Sequence, residues 1–200
     1  MRRHVLIAAL AGVLCLTGCN VEIPEDVFAE KYPIGTEVEL GGTKFNIYKV
    51  DPEDEEIYLL ARESIATTLY SDSEHQGDDV HDYVGSYVYD YIEDFSYDLQ
   101  VNQGIDLVWS GLIDEEDLSD LGKFTHSDGL SGRPYYAGDE TPEFVTCVDT
   151  YWVGGYCKYD TYSWAYSHGC YDMEQCDEHE YGVRPAICVK ADVIERTQSQ

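Results

Sequence analysis

Polar and apolar residues alternate first in two short runs separated by a pair of glycines. Glu37–Leu40 (EVEL) and Phe45–Val50 (FNIYKV) alternate, and Gly41 and Gly42 lie between them. Because successive side chains of a strand point to opposite faces of a sheet, this pattern predicts a β-hairpin. Ile57–Ala61 (IYLLA) is more continuously apolar and predicts a buried strand.

The period then changes from two to that of a helix. Residues at helical spacing form one apolar face: Val80, Val84, Tyr87, Val88, Tyr91, Ile92 and Phe95. They predict an amphipathic helix with Asp78 or Asp79 as its N-cap. A shorter helix is predicted at residues 115–121, since Asp114 can cap it and Gly122 can end it. Residues 105–109 before it predict a strand, and the polar stretches at residues 72–79 and 123–141 predict loops.

The last third of the chain returns to strand patterns. Phe144–Cys147 and Tyr151–Val153 each predict a strand, and Gly154-Gly155 predicts a turn. An aromatic ladder follows, with Tyr159, Tyr162, Trp164 and Tyr166. Residues 169–180 predict an irregular acidic loop. The run Tyr181–Val189 (YGVRPAICV) then predicts a corner followed by an apolar strand in the middle of a sheet.

The order of these elements and the closing Gly182-Val183-Arg184-Pro185-Ala186 resemble a bacterial family of domains of unknown function, DUF6273. That family is similar to C-type-lectin-like folds, including the formylglycine-generating-enzyme type. The resemblance implies an α+β fold over residues 35–195, with mostly antiparallel sheets, two short helices and long loops. The chain departs from the family at Tyr151–Gly155 (YWVGG), where members often show Trp-Leu-Arg-Ser, so a role for that arginine does not carry over.

The first residues predict export from the cytoplasm. Arg2 and Arg3 precede an apolar run that is too short to span a bilayer permanently. The run ends in Leu16-Thr17-Gly18-Cys19, which resembles the lipobox of bacterial lipoproteins, where the cysteine is lipidated and becomes the mature N-terminus. We therefore expect a signal peptide at 1–18, a tether at 19–34, the domain at 35–195 and a tail at 196–200. The alternative is an ordinary signal peptide in which Cys19 is incidental.

The charge balance excludes several classes of partner. Removing residues 1–18, which contain two arginines and no acids, changes the formal net charge from −28 to −30. A polyanion is repelled by nucleic acid and by anionic lipid, so neither is an expected partner of the domain. The acids are scattered and form no EF-hand-type loop, which favours solvated charge over calcium binding. The lipid anchor predicts an outer-membrane or surface location.

The cysteines after Cys19 predict disulfides, since they are crowded into an exported domain. They are Cys147, Cys157, Cys170, Cys176 and Cys188. Sequence alone leaves the pairing open, although a Cys170–Cys176 bridge and a bridge from Cys188 to Cys147 or Cys157 are favoured. A zinc site at His168, Cys170, Cys176 and His179 is an alternative whose spacing matches no zinc motif. His75, His81 and His126 lack paired ligand spacing and are expected at the surface.

No residue pattern supports catalysis. Ser163, Ser167 and His168 lack a nucleophile elbow, and Glu115-Glu116 is explained by the favourable charge at a helix start. No catalytic residue and no cofactor is therefore predicted. Arg184 is expected to be half-buried and paired with a carboxylate beside the Gly182–Pro185 corner, with anion recognition as the alternative.

Two functions from different classes remain open. In the first, aromatic side chains form the ligand face of a surface binding module for a glycan or protein: Tyr151, Trp152, Tyr159, Tyr162, Trp164 and Tyr166. Tyr and Trp offer a large contact area at low entropic cost. In the second, the protein is an envelope enzyme or a metal-binding maturation factor. A third interpretation is that the aromatics fill the core of a lipoprotein with a scaffolding role.

Overall fold

The structure, a computed structural model, has an α+β fold with two mostly antiparallel sheets and short helices. It describes residues 25–76, 82–122, 125–126, 135–136, 138, 140–146, 150–155, 162–167 and 170–198. Within these residues the strands are β1 (Glu37–Leu40), β2 (Thr43–Asp51), β3 (Glu56–Ala61), β4 (Ala66–Thr68), β5 (Trp109–Leu112), β6 (Thr125–His126), β7 (Tyr135–Tyr136), β8 (Tyr151–Val153), β9 (Tyr162–Ser167), β10 (Cys170–Gln175), β11 (Tyr181–Val183) and β12 (Pro185–Lys190). The helices are α1 (Glu25–Lys31), α2 (Ser73–Gln76), α3 (Tyr87–Tyr97, continued by a π-helical turn at Asp98–Asn102), α4 (Glu115–Gly122), α5 (Glu143–Thr146) and α6 (Ala191–Gln198).

The first sheet has five strands in the order β1-β2-β3-β12-β5, and all its pairings are antiparallel. The predicted hairpin and the predicted strand after it are confirmed as β1, β2 and β3. Gly41 and Gly42 make the hairpin turn with φ of 56° and 79°, a region that favours glycine. The closing strand is confirmed as central, since β12 lies between β3 and β5, with Ala186 opposite Leu60 on one side and Gly111 on the other.

The second sheet has seven strands in the order β4-β11-β8-β9-β10-β7-β6. Its pairings are antiparallel except for β11 with β8, which are parallel. Strand β10 corrects the prediction of an irregular loop at residues 169–180. It pairs with β9 along its whole length, so a regular ladder forms despite the acidic sequence.

Two neighbouring chain segments pass from one sheet to the other side by side. Strand β3 leads through Arg62 to β4, and β11 leads through Arg184 to β12. The two segments are joined where Ile65 N–H donates to the Val183 carbonyl at 2.8 Å. Arg184 therefore lies at the junction of the two sheets.

Three apolar clusters separate the layers of the fold. The first lies between the five-stranded sheet and the terminal helices α1 and α6, and it contains Phe28, Phe45, Ile187 and Ile194. The second fills the space between the two sheets together with α4 and α5. The third packs α3 against the seven-stranded sheet. Because both sheets are covered on both faces, a central strand such as β12 is buried along nearly its whole length.

The predicted tether is shorter than expected at its C-terminal end. Phe28 and Tyr32 are buried in the first cluster, so α1 belongs to the domain. Pro33 lies two residues after the end of this helix, a common place for proline because it cannot continue a helix. At the other end, α6 occupies most of the predicted tail, and Lys31 forms an ion pair with Glu195 that links the two terminal helices.

Three internal elements also correct the prediction. Helix α3 begins at Tyr87, because the Ser86 hydroxyl accepts a hydrogen bond from Tyr89 N–H at 3.0 Å. Val84 precedes the helix and is 71% exposed, and Tyr91 also faces solvent. Residues 143–146 form a helical turn instead of a strand, and the strand predicted at 105–109 is displaced to 109–112. By contrast, α4 is confirmed, with Asp114 Oδ1 accepting from Asp117 N–H at 2.8 Å.

Candidate functional site

Arg184 is fully buried at the junction of the sheets. Its Nε–H donates to the Ala61 carbonyl at 2.8 Å, and Nη2 donates to the Phe144 carbonyl at 2.9 Å. The guanidinium lies 4.6 Å from the centre of the Tyr151 ring. The structure corrects the expected half-buried position, because the side chain is fully buried, and two of its acceptors are main-chain carbonyls. A guanidinium without solvent exposure is not an accessible anion receptor.

The other residues of the closing motif also have structural roles. A Cβ placed on Gly182 would lie 2.1 Å from Ser64 Oγ and 3.1 Å from the Thr150 carbonyl. Gly182 N–H donates to that same carbonyl at 2.8 Å. Ala186 is buried in the cluster between the sheets. The motif therefore acts inside the protein, where it lets two chain segments approach closely.

The aromatic strands turn inward where the structure describes them. Tyr151, Trp152 and Tyr166 are fully buried. Tyr151 and Tyr166 stack with ring centres 5.0 Å apart, and Trp152 Nε1–H donates to the Thr68 carbonyl at 2.9 Å. These three side chains belong to the core, which corrects the prediction that they form an outward ligand face. The polar atoms of Tyr151 and Trp152 are hydrogen-bonded within the fold, as is usual for buried Tyr and Trp.

Trp164 is the remaining member of the predicted face whose side chain the structure describes. Trp164 is partly buried against the cluster between the sheets. The side chain of Tyr162 and all of Tyr159 lie outside the described residues. The observed contacts thus support the interpretation in which these aromatics fill the core.

A cleft opens on the surface between the two segments whose carbonyls Arg184 binds. Its volume is about 450 Å³, within the range of small-ligand sites. One wall comes from the edge of the first sheet and the other from α5, and the cleft is lined by Gly35, Glu37, Asn46, Arg62, Glu143 and Phe144, with Pro142 at the start of α5.

The buried core holds both walls of this cleft. Arg184 binds the carbonyl of Ala61, next to Arg62 on one wall, and the carbonyl of Phe144 on the other. The Tyr151 hydroxyl also donates to the Val145 carbonyl in α5 at 3.3 Å. The cleft is therefore built on fixed main-chain positions, which favours a pre-formed binding site over a loop surface.

The charges in the cleft are balanced. Glu37 Oε1 lies 3.1 Å from Lys44 Nζ, and its Oε2 pairs with Arg62. Hydrogen bonds from Lys44 and then Arg62 lower the pKa of Glu37 below its usual value, so this carboxyl is ionised at neutral pH. Glu143 faces the same cleft and makes no ion pair within the described residues. Arg62, Glu37 and Glu143 line the cleft, and Lys44 pairs with Glu37 from beside it, so two cations and two anions lie in or next to the cleft in a chain with a formal charge of −28.

Asn46 contributes the least satisfied polar group of the cleft. It is only 7% exposed, and its Nδ2 donates to the Gly35 carbonyl at 2.9 Å. Its Oδ1 is buried and accepts no hydrogen bond within the described residues. A buried acceptor without a donor costs about 1–3 kcal/mol, and such groups mark positions worth a functional explanation. No sequence pattern singled out Asn46, because it occupies an ordinary polar position of an alternating strand.

Comparison with known proteins adds no relative. No protein-family model, no curated protein and no solved structure matches the chain. The role of the cleft therefore has to follow from its own residues.

The structure describes two of the five cysteine side chains for which disulfides are predicted. Cys188 is buried on β12 and forms no disulfide within the described residues, and burial raises the pKa of its thiol to about 12. Its predicted partners Cys147 and Cys157 lie outside the described residues. Cys176 is buried where β10 ends, and the side chain of its predicted partner Cys170 is not described. The disulfide pairing therefore stays a prediction.

The alternative zinc site also stays a prediction. Within the described side chains, no three His, Cys, Asp or Glu residues are grouped so that they could hold a metal ion. His168 lies outside the described residues, and His179 stacks against Tyr181 with ring centres 5.9 Å apart. His75 is more engaged than expected, since it stacks on Tyr87 and lies 3.4 Å from Asp90.

Glu115 provides a second buried oxygen without a hydrogen-bond donor within the described residues. Its Oε2 accepts no hydrogen bond within the described residues and packs against Gly155, where a Cβ would overlap it. Burial, with a smaller contribution from the neighbouring acids, raises the pKa of Glu115. The folded protein thus holds a proton on Glu115 more tightly than the unfolded chain, and this contribution to stability is lost as the pH rises through the folded-state pKa.

We expect Glu115→Gln to stabilise the protein at pH 8 by up to about 1 kcal/mol. The gain should shrink as the pH falls toward 4, because Glu115 of the parent then becomes protonated in both the folded and the unfolded state. Urea unfolding at the two pH values measures the effect, with the exposed neighbour Glu116→Gln as control for general relief of charge repulsion. Equal gains from the two variants at pH 8 would show that burial of Glu115 has no effect.

Proposed function

We propose that the protein is a lipid-anchored extracytoplasmic binding module whose ligand site is the cleft between the first sheet and α5. The observation that carries the binding role is the placement of Asn46, with an unused buried acceptor, in a charge-balanced cleft held by Arg184. This replaces the aromatic strands as the ligand surface, since their described members are in the core. No described geometry favours the alternative of an envelope enzyme or metal-binding maturation factor.

The location rests on the first residues of the chain. The paired arginines, the short apolar run and Leu16-Thr17-Gly18-Cys19 together favour lipidation at Cys19. Two acyl chains supply the double signal that stable anchoring requires. Within the described residues, no helix is both long enough and apolar enough to span a membrane.

The short tether then sets the position of the domain. Only residues 20–24 separate Cys19 from α1. At roughly 3.5 Å per extended residue, five residues reach about 17 Å. A lipidated protein would therefore hold its domain close to the membrane surface, with α1 nearest the anchor.

The proposal includes a C-type-lectin-like fold of the DUF6273 kind. Its support is the pair of mostly antiparallel sheets and the central strand that carries Gly-Val-Arg-Pro-Ala. In this proposal the motif serves to join the two sheets and to fix the walls of the cleft. The family resemblance thus bears on architecture, while the ligand is decided by the cleft.

An experiment on intact cells that produce the protein tests both the membrane location and the ligand site. We expect the parent to sediment with membranes and to retain labelled ligands from a mixed glycan and peptide array. Cys19→Ala should move the protein to the soluble fraction, because it removes the acylation site. The double variant Arg62→Ala, Glu143→Gln should stay on the membrane and lose the retained ligand. A Cys19→Ala protein that still sediments, or unchanged retention by the double variant, would contradict the corresponding part.

A further inference from the structure

Resting on the proposed function, we infer that the cleft binds a neutral, hydroxyl-rich ligand, a saccharide chain without charged groups. The inference starts from the electrostatics of the cleft compared with the rest of the molecule. Both oxygens of Glu37 are already compensated, by Lys44 and by Arg62. A cationic ligand would have to displace these partners at Glu37, and the exposed Glu143 offers it only a weak, solvent-screened ion pair.

An anionic ligand is disfavoured by the charge of the whole chain. The exposed basic side chains of the described residues are already in ion pairs, namely Lys31, Lys44, Lys49, Arg62, Lys190 and Arg196. The forty acids of the chain therefore exceed the available positive charge over most of the surface. A neutral ligand approaches the cleft without repulsion and without competition from salt.

The polar groups of the cleft suit hydroxyls because they include both donors and acceptors. Arg62 offers N–H groups, while Glu37, Glu143 and the Asn46 Oδ1 accept. A hydroxyl both donates and accepts, so neighbouring hydroxyls on a sugar ring satisfy carboxylate, amide and guanidinium groups together. Pro142 and Phe144 add apolar surface for the C–H face of a ring.

A ligand reaches the buried Oδ1 of Asn46 when the side chains at the rim of the cleft move. The side chains of Arg62 and Glu37 are 44% and 42% exposed, and their ion pair is of the weak, solvent-screened kind. They can move aside while Asn46 stays fixed by its hydrogen bond to Gly35. The ligand hydroxyl then supplies the donor that Asn46 Oδ1 lacks.

The test uses tetrasaccharides that differ in charge. Full-length lipidated protein in nanodiscs is titrated with N-acetylated chitotetraose, with its deacetylated cationic form, with anionic tetragalacturonate, and with neutral maltotetraose. An uncharged peptide, acetyl-tetraalanine amide, provides neutral amide groups without hydroxyls. Isothermal calorimetry gives the dissociation constants, and the ¹⁵N–¹H signals of the Asn46 side-chain amide report contact in the cleft.

We expect a neutral tetrasaccharide to bind best and to shift the Asn46 amide signals. Arg62→Ala and Glu143→Gln should each weaken this binding at least about fivefold, while the matched surface variant Arg196→Ala should leave it unchanged. If a charged probe or the capped peptide binds best and still depends on Arg62, the inference is wrong and the proposed binding site stands. If Arg62→Ala and Glu143→Gln do not weaken the binding of either neutral saccharide, or if neither saccharide binds, the inference is wrong. If a ligand binds the protein and neither variant weakens its binding, the proposed site is wrong as well.

Discussion

Arg184→Ala should lower the free energy of unfolding by at least about 4 kcal/mol. The substitution leaves the buried carbonyls of Ala61 and Phe144 without their donor, at about 1–3 kcal/mol each. It also opens a cavity beneath the Tyr151 ring. Chemical unfolding followed by tryptophan fluorescence measures the loss, with the exposed arginine variant Arg196→Ala expected within about 0.5 kcal/mol of the parent.

Arg184→Lys keeps the experiment informative if the alanine variant does not fold. Lysine retains the positive charge, but a single ammonium group does not reproduce the planar fork that reaches two carbonyls in different directions. We expect a loss of about 2 kcal/mol or more. Stability within about 1 kcal/mol of the parent for both variants would show that Arg184 does not fasten the two sheets.

Gly182→Ala should destabilise the protein by about 2–3 kcal/mol, the upper range for overpacking. The added methyl would lie 2.1 Å from Ser64 Oγ, 2.9 Å from Ser64 Cβ and 3.1 Å from the Thr150 carbonyl. The strand cannot move away freely, because Gly182 N–H is bonded to Thr150. The shift in the urea midpoint at constant slope reports the loss.

Two further variants separate the clash from other effects of removing a glycine. Gly154→Ala, in the neighbouring turn, places its methyl 3.3 Å from the nearest atom and should cost less than about 1 kcal/mol. Ser64→Gly in the Gly182→Ala background should restore part of the stability, since the Thr150 contact remains. If the second substitution restores nothing, the contact with Ser64 is not the cause of the loss.

Elements with a local cause were predictable from the sequence. The hairpin follows from alternation around Gly41-Gly42, and α4 follows from the capping side chain of Asp114. The central strand β12 follows from a continuous apolar run after Pro185. In each case the residues that determine the element lie within it or next to it.

Elements that depend on distant contacts were missed. Phe144 and Val145 have high strand propensity, yet both are buried in a helical turn held by Arg184 and Tyr151. The helix α1 is stabilised by Phe28, which packs against residues from the other end of the chain. Local propensity is a weak guide where tertiary packing decides the conformation.

The direction in which the aromatic side chains point could not be predicted from the sequence either. An alternating strand reveals its solvent face only when one side of its sheet is open. Here the second sheet is covered by α3 on one face and by α4 and α5 on the other, so Tyr151 and Trp152 are both buried although they point in opposite directions. The cleft could not be predicted either, because its walls, at Arg62 and Glu143, are separated by some eighty residues and are brought together by tertiary contacts such as those of Arg184.

The exchange rate of the Arg184 Nε–H tests most directly the claim that this arginine fastens both walls of the cleft from inside. Arginine Nε–H signals are resolved in ¹⁵N–¹H spectra, and Arg196, which is exposed, provides the internal comparison. A buried Nε–H bonded to Ala61 should exchange with water as slowly as the amides of β12, while that of Arg196 exchanges rapidly. Equally fast exchange at Arg184 and Arg196 would contradict the account.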